Sequence, residues 1–423
     1  MTHTHPRLSS VAACLALSSF ALLAACGGGG GGEEPHEHTH IDSVGRLALI
    51  EAESTAVRIY DLDDKAVAAE LTVSNPPSAV HASPGGRYAV VMQRLQDQVQ
   101  FVDGGLWQED HGDHMHDYKE APVLTGFVLA GARPTHYETH EGLAAVFNDG
   151  IDGTSASVAV LSDAGIGSGS QLASLALSTH MHGTAEPRGE YLLTTHRDPM
   201  TASTLPDVVA LYQREGSGYR LVEAFAETCP GLHGSFSNED HTAFGCSDGV
   251  LVITQSGDSF SARKLPNPAE MPAEARIGTV IGHDHVQSFV GIASGLLFEI
   301  DPVAGTISPI ALPADRESAA RAFDAHGENL LVLDDLGNLH LLDAGNGWAL
   351  RGTLPVVATM PTAAPFPAIT ASRAEETAFV TDPVARDIAI IDLGTAALAE
   401  RLTLDFSPAG MVWLGIEAHE HAH

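Results

Sequence analysis

The sequence predicts an all-β fold, namely a β-propeller of eight blades closed by its C-terminal strand. Two observations support this prediction. Residues 44–416 show almost no helical periodicity, and their short apolar runs alternate with turn signals. A unit of strand, turn and strand ending in an acidic turn also recurs eight times, at spacings of 41 to 56 residues. The copies begin at Arg46, Arg87, Leu143, Tyr191, Thr242, Gln287, Leu330 and Thr377.

Repeats of about 40 to 50 residues in an all-β pattern are typical of propeller blades with four strands each. After the last copy, "ERLTLDF" predicts an outer strand, and "AGMVWLG" predicts an inner strand with no outer partners of its own. The first copy lacks an inner strand, so the C-terminal segment can complete the first blade. Seven blades is the alternative, if two weak copies merge. Residues 44–416 are thus expected to form a single domain.

The N-terminus has the features of an export signal. Residues 1–25 contain a short apolar run that ends in Leu23-Ala24-Ala25-Cys26, which resembles the lipobox of bacterial lipoproteins. Six glycines follow, so residues 26–43 are expected to be a flexible, histidine-bearing tether. The sequence predicts a periplasmic protein, anchored by acylation of Cys26 if the lipobox is used. An ordinary secretory signal cut nearby is the alternative.

Composition excludes some classes of partner. The formal net charge of −33 would repel nucleic-acid phosphates and anionic lipids, and it would concentrate cations near the surface. Any membrane contact is therefore expected only through a lipid anchor, and we expect a monomer. Outside the signal region the chain has two cysteines, Cys229 and Cys246. In an exported protein these predict one disulfide, with thiolate metal ligation as the alternative.

Histidines recur at one position of the repeat. Six consecutive copies carry a histidine in the segment that forms, or leads into, the innermost strand. Innermost strands line the channel of a propeller, so equivalent positions in successive blades form a ring at one depth. Converging neutral imidazoles are a ligand set that Zn²⁺ favours. The candidates that share one register are His81, His136, His182 and His233.

Two questions about these histidines stay open in the sequence. A single channel histidine is more often a hydrogen-bonded structural residue than a ligand. An Asp or Glu could complete the site or orient an imidazole, but the spacing does not identify it. The acidic turn "NDGIDG" (148–153) is a weak Ca²⁺ motif, which we interpret as a turn within a blade.

Three segments outside the repeat combine histidine with acidic residues. "HEHTH" follows the glycine tether, "DHGDHMHD" lies in the longest connection between copies, and "HEHAH" ends the tail, residues 417–423. The middle segment is expected to be an exposed loop, and all three are expected to bind zinc weakly. Solvated acidic loops are the alternative. Weak, mobile sites beside a stronger channel site suggest transfer, which should decline in mild acid as exposed histidines become protonated. The candidate transfer ligands are His36, His38, His40, His111, His114 and His116.

Taken together, the "HEHTH" and "DHGDHMHD" segments and the histidine-bearing repeats resemble the AztD family of periplasmic zinc metallochaperones. The resemblance spans the mature chain. It implies a β-propeller that binds Zn²⁺ and passes it to the solute-binding protein of a zinc ABC transporter, with His36 to His40 and His111 to His116 as the mobile histidine segments. The lipobox departs from what a freely diffusing chaperone requires.

Two other classes of function are compatible with the sequence. One is a metal-dependent propeller hydrolase, such as a lactonase, with an open coordination position on its metal. The other is a lipoprotein scaffold with incidental histidines. Residues 245–249, "GCSDG", match the nucleophile-elbow pattern, but a strand follows them where that motif requires a helix. We therefore predict a protein that is not an enzyme.

Overall fold

Eight four-stranded antiparallel sheets make up the fold in the computed structural model, which describes residues 41–112 and 115–418. The predicted all-β propeller with eight blades is confirmed. The signal segment, the Cys26 lipobox, the tether with His36, His38 and His40, residue His114 and the tail from 419 lie outside the described residues. In the part of the chain that is described, no helix has the length and apolar character needed to cross a membrane.

The first four blades occupy the N-terminal half of the chain. Blade 1 contains β1 Arg46–Glu51, β2 Ala56–Asp61 and β3 Ala66–Thr72. Blade 2 contains β4 Ala79–Ala82, β5 Tyr88–Gln93, β6 Gln98–Asp103, the inserted strands β7 Leu106–Asp110 and β8 Met115–Lys119, and β9 Val123–Ala130. Blade 3 contains β10 Pro134–His140, β11 Leu143–Asn148, β12 Ser157–Leu161, helix α1 Asp163–Ser168 and β13 Ala173–Ala176. Blade 4 contains β14 Ala185–Arg188, β15 Tyr191–His196, β16 Val208–Glu215 and β17 Gly218–Ala224.

The remaining blades complete the ring. Blade 5 contains β18 Ser235–Ser237, β19 His241–Cys246, β20 Gly249–Ser256 and β21 Ser259–Pro266. Blade 6 contains β22 Thr279–Ile281, β23 Phe289–Ala293, β24 Leu296–Asp301 and β25 Thr306–Ile310. Blade 7 contains β26 Ser318–Phe323, β27 Asn329–Asp334, β28 Asn338–Asp343 and β29 Ala349–Pro355. Blade 8 contains β30 Ile369–Ala371, β31 Thr377–Asp382, β32 Asp387–Asp392 and β33 Ala397–Thr403, and β34 Pro408–Leu414 follows it. Short 3-10 turns span Arg94–Gln96, Pro313–Asp315 and Ala344–Asn346.

Burial follows the position of each strand within its blade. Strands β5 and β27 are buried along their whole length, because neighbouring blades cover both of their faces. The outer strands β3 and β17 are largely exposed. Phe101 of blade 2 and Val146 of blade 3 belong to one apolar cluster, so the core is a series of layers between adjacent blades.

The ring closes through the C-terminal strand, as predicted. β34 pairs antiparallel with β1 and is the inner strand of blade 1. Met411, Trp413 and Leu414 are buried in this seam. The Trp413 indole Nε1 donates to the carbonyl of Val44 at 3.0 Å, so the last strand is fixed against the start of the first blade.

The inner strands fix the depth of every side chain in the channel. In each blade the chain passes from the innermost strand outwards, so the innermost strands run in the same sense. We call the side on which these strands begin the lower face, and the side on which they end the upper face. A residue's place along its inner strand then gives its depth.

The predicted disulfide is present in blade 5. Cys229 and Cys246 are bonded, with their Cα atoms 5.0 Å apart. Cys246 ends β19, but Cys229 lies in the loop before β18 and not on a paired strand. The disulfide therefore joins a strand to a loop, because the inner strand of this blade begins only at Ser235.

Candidate metal centre

Three of the predicted histidines meet at the lower end of the channel. His136 lies near the start of β10, His182 in the loop before β14 and His233 in the loop before β18, so three consecutive blades each contribute one ring. The Nε2 atoms of His136 and His182 are 3.5 Å apart, and those of His182 and His233 are 3.0 Å apart. One ligand nitrogen from each ring lies within 4.8 Å of the other two. We call this group the histidine triad.

The spacing of these nitrogens fits a tetrahedral metal ion. Zn–N bonds of about 2.0–2.1 Å in tetrahedral geometry place two ligand nitrogens roughly 3.3 Å apart. The two measured Nε2 distances lie on either side of that value. Three nitrogens leave a fourth position for water or for another ligand.

The partners of the other ring nitrogens determine the tautomers of two of these rings. His233 Nδ1 is 2.7 Å from the carbonyl oxygen of Gly278, which can only accept, so this Nδ1 carries the proton. His182 Nδ1 is 2.9 Å from Oδ2 of Asp149. Burial alone would raise the pKa of Asp149, but hydrogen bonds from His182 and Arg94 bring it below its ordinary value, so the carboxylate is the acceptor.

In the neutral rings, therefore, the Nε2 lone pairs of His182 and His233 face each other at 3.0 Å. Two facing acceptors are unfavourable unless a cation lies between them. Burial first, and then the neighbouring histidines, lowers the pKa of His136 to about 3, so protonation of this ring is opposed. Burial also lowers the pKa of His233. Neutral imidazoles whose outer nitrogens are held by acceptors are the arrangement that metal-binding histidines adopt.

His81, the fourth predicted ligand, does not belong to this group. It lies on β4, and its ring stacks on Tyr137 with 5.0 Å between the ring centroids. Burial lowers the pKa of His81 to about 4. The structure thus brings together three of the four predicted side chains.

Sequence reasoning missed the carboxylate that orients the triad. Asp149 lies in the turn that was interpreted only as a connection within blade 3. It is 6 % exposed, and its Oδ2 contacts His182 Nδ1 and Arg94 Nη2, each at 2.9 Å. The only sequence signal for this role of Asp149 is an acidic turn in the blade that precedes the one with His182.

Replacing Asp149 with asparagine should weaken zinc binding by about 10–100-fold, the usual cost of losing an outer partner of a ligand histidine. The amide can still accept a hydrogen bond, but it provides no charge to favour the Nδ1–H tautomer of His182. Competition with a chromophoric chelator would measure the change. Asp152→Asn, three residues further along the same turn at a fully exposed carboxylate, is the matched control. Equal affinity of both variants would contradict the orienting role.

The segment expected to be an exposed loop forms a β-hairpin instead. β7 and β8 pair from Leu106–Lys119 to Asp110–Met115. The rings of Trp107 and Tyr118 stack with centroids 4.9 Å apart, and the Arg87 guanidinium lies 3.7 Å above the Trp107 ring. The prediction of a loop is wrong because alternate residues in this polar segment can pack across two strands.

Two of the predicted transfer ligands lie near each other on this hairpin. The rings of His111 and His116 have centroids 5.5 Å apart, and His111 Nε2 is 3.8 Å from Oε2 of Glu109. The hairpin leaves blade 2 after β6, which ends at the upper face. It therefore lies on the side of the propeller opposite to the histidine triad.

The first and last residues that the structure describes, Ile41 and Ala418, also lie on the upper face, beside the hairpin. The backbone N–H of Ile41, the residue after His40, donates to Oδ2 of Asp117 at 2.9 Å. Glu417 and Ala418, which precede the histidine-rich tail, line a cavity of about 1310 Å³ together with Trp107 and Glu109. The points at which all three histidine-rich segments join the propeller are thus close together.

Fold and site together define an eight-bladed propeller with a three-histidine cluster of metal-site geometry in its channel. No family model matches the chain. The zinc chaperone AztD of Citrobacter koseri is 26 % identical over 392 residues, which cover 89 % of each chain. A crystal structure of that AztD matches with a TM-score of 0.77 and 25 % identity, covering 89 % of this chain and 99 % of the other.

Two further solved structures share the fold. Apo AztD of C. koseri matches with a TM-score of 0.76 at 24 % identity, covering 89 % of this chain and 98 % of the other. The dihydro-heme d1 dehydrogenase NirN matches at 0.57 and 14 %, covering 89 % and 76 % of the two chains. The resemblance to AztD indicated by the sequence motifs is confirmed by these comparisons.

Proposed function

We propose that this protein is a periplasmic zinc chaperone that holds one Zn²⁺ at His136, His182 and His233. It would pass the ion to the solute-binding protein of a zinc ABC transporter. One observation carries the proposal: three Nε2 atoms from separate blades converge, while the Nδ1 atoms of His182 and His233 are held by Asp149 and a backbone carbonyl. The similarity to the zinc chaperone AztD supports the choice of metal and the role.

The site is suited to holding an ion that must later be released. It offers three nitrogens and an open fourth position, where a ligand from a partner can bind before the imidazoles let go. A cavity of about 350 Å³ at the lower face reaches His182 and Asp149. The ion is therefore accessible from one side of the channel.

The same cavity keeps the hydrolase alternative open, because an accessible metal beside a pocket can also activate water. Asp149 could serve as a base, but it is already bound by His182 and Arg94. This arrangement favours holding the ion over chemistry. Turnover of a lactone by the zinc-loaded protein would favour the hydrolase, and failure to retain zinc after dialysis would favour a scaffold.

The histidine-rich hairpin gives the test of transfer. The zinc-loaded protein is expected to retain one ion through dialysis and to give it up when mixed with the zinc-free solute-binding protein. A His111→Ala, His114→Ala and His116→Ala variant should transfer zinc several-fold more slowly with unchanged tight binding. Point substitutions are preferable to deleting 110–117, because Asp117 binds Ile41 and Gln108.

The matched control replaces two exposed histidines of the same face on other blades, His285 and His326, with alanine. Stopped-flow fluorescence of a zinc indicator would report the rate for parent, hairpin variant and control. An unchanged rate in the hairpin variant would remove the hairpin from the mechanism without affecting the assignment of the triad. If zinc transfer were slowed equally in the control, the effect would come from a general loss of surface histidines.

A further inference from the structure

The channel contains ligand-type side chains well beyond the triad. In β10, side chains two residues apart lie on the same face, so His136, Glu138 and His140 form one row along the channel wall. A rise of about 3.3 Å per residue places His140 roughly 13 Å above His136. Oε1 of Glu138 is 3.9 Å from Nδ1 of His136, so the row begins at the triad itself.

Glu186 on the neighbouring inner strand β14 is a buried acid whose hydrogen bonding is incomplete. It is 0 % exposed, and neither carboxylate oxygen has a hydrogen bond of normal geometry within the described structure. The nearby hydroxyls of Ser235 and Ser237 are paired with Thr184 and Thr242, each at 2.8 Å. A fully buried carboxylate whose oxygens accept no hydrogen bond of normal geometry is rare and unfavourable.

Glu186 also lacks a bound counterion. Arg188, two residues along the same strand, directs its guanidinium to Gln255 and to the carbonyls of Asn238 and Glu239. The neighbouring acid is Glu138, and its pKa is raised first by burial and then by the charge of Glu186. Burial raises the pKa of Glu186 to about 7, although the hydroxyls and cations around it oppose that shift. Two neighbouring buried acids of this kind are either protonated or held by a cation.

The position of the pair between two cavities favours a cation. The lower cavity, of about 350 Å³, ends at His182. A second cavity, of about 470 Å³, opens on the upper face and is lined by His140, His283 and Asp284. Glu138 and Glu186 lie along the channel between them, so an ion moving from the triad to the face with the histidine-rich segments would meet these carboxylates.

We propose that Glu138 and Glu186 form a second divalent-cation site inside the channel, between the histidine triad and the upper face. The identification of zinc as the ion that this site carries rests on the proposed function. The site would lie on the path of zinc across the propeller. Its ligands are carboxylate oxygens, which favour harder cations than three imidazoles do. The two sites should therefore be separable with two metals.

Mn²⁺, a metal that favours oxygen ligands, is the probe. The full chain carrying one equivalent of Zn²⁺ would be titrated with Mn²⁺, and free Mn²⁺ followed by electron paramagnetic resonance. The parent should bind one Mn²⁺ at least tenfold more tightly than its acidic surface does. Glu138→Gln with Glu186→Gln should lose this ion and retain tight Zn²⁺. Glu223→Gln with Glu227→Gln, which removes two exposed carboxylates, is the charge-matched control and should behave as the parent.

The outcomes separate this site from the proposed function. Superimposable Mn²⁺ titrations of the parent and the Glu138/Glu186 variant would overturn the site, whether or not the triad holds zinc. Loss of tight Zn²⁺ in that variant would also overturn it, because the carboxylates would then be part of the triad. Thermal unfolding without metal is the check on folding. Removing two buried acids should leave the melting temperature at pH 8 unchanged or higher, and a large decrease would assign the pair a structural role instead.

If the double variant does not fold, Glu186→Gln alone provides the test, since neither carboxylate oxygen of Glu186 has a hydrogen bond of normal geometry. It should weaken Mn²⁺ binding at least tenfold. Parent-like binding by this single variant would also overturn the site.

Discussion

Alanine at both His136 and His182 is expected to abolish tight zinc binding while the eight-bladed propeller remains folded. The single imidazole left, His233, cannot hold the ion. The loss should therefore exceed the roughly 100-fold that removal of an outer partner costs. The substitutions remove partly exposed rings that line the channel, 18 % and 29 % exposed, and not the apolar layers between blades.

Stability of the metal-free protein gives this prediction a second measurable consequence. The Nε2 atoms of His182 and His233 face each other in the parent, so removing one of them relieves an unfavourable contact. The double variant should therefore unfold no earlier than the metal-free parent. His326→Ala, at an exposed histidine of blade 7, is the control for general loss of an imidazole. A zinc titration of the double variant that coincides with the parent's would refute the triad.

Between pH 6.5 and pH 5, the apparent zinc affinity of the triad should fall by no more than about 100-fold per pH unit. Each ligand that is protonated in the metal-free state adds one decade per unit below its own pKa. Burial first, and then the neighbouring histidines, lowers the pKa of His136 to about 3, and burial lowers that of His233. His136 is therefore neutral across the range, and His233 takes up a proton less readily than a free imidazole, so at most two protons compete with the metal.

A site built from three exposed histidines would behave differently. With pKa values near 6.5, its affinity would fall by up to three decades per unit at the acid end of the range. Chelator competition at closely spaced pH values would measure the slope for the parent. A slope near three would show that the triad is solvated in solution and not desolvated in the channel.

The propeller was predictable because its signals are local and repeated. Each blade uses the same turn signals, so eight weak patterns support one prediction. The segment "AGMVWLG" has no outer strands of its own, and this predicts its pairing with the first blade. The convergence of His136, His182 and His233 followed from register, since equivalent positions of parallel inner strands lie at one depth.

The direction of individual side chains could not be predicted from the sequence. His81 shares the segment but stacks on Tyr137. Asp149 contacts His182 across a blade boundary, and neither Asp149 nor Glu186 belongs to a spacing motif. The hairpin was mistaken for a loop because its order depends on the stacking of Trp107 on Tyr118 and on Arg87 above it, contacts that no periodicity reveals.

One side chain links the ring seam to the histidine-bearing hairpin. Arg46 of β1 donates to Asp61 at 2.9 Å, to the carbonyl of Gly104 at 2.5 Å and to that of Glu120 at 2.7 Å. The last two carbonyls flank the hairpin, whereas β1 is the strand that receives the C-terminus. Fraying of the terminus and detachment of the hairpin would therefore break a common set of bonds. In local unfolding the two should act as one cooperative unit, with amide protons that exchange together.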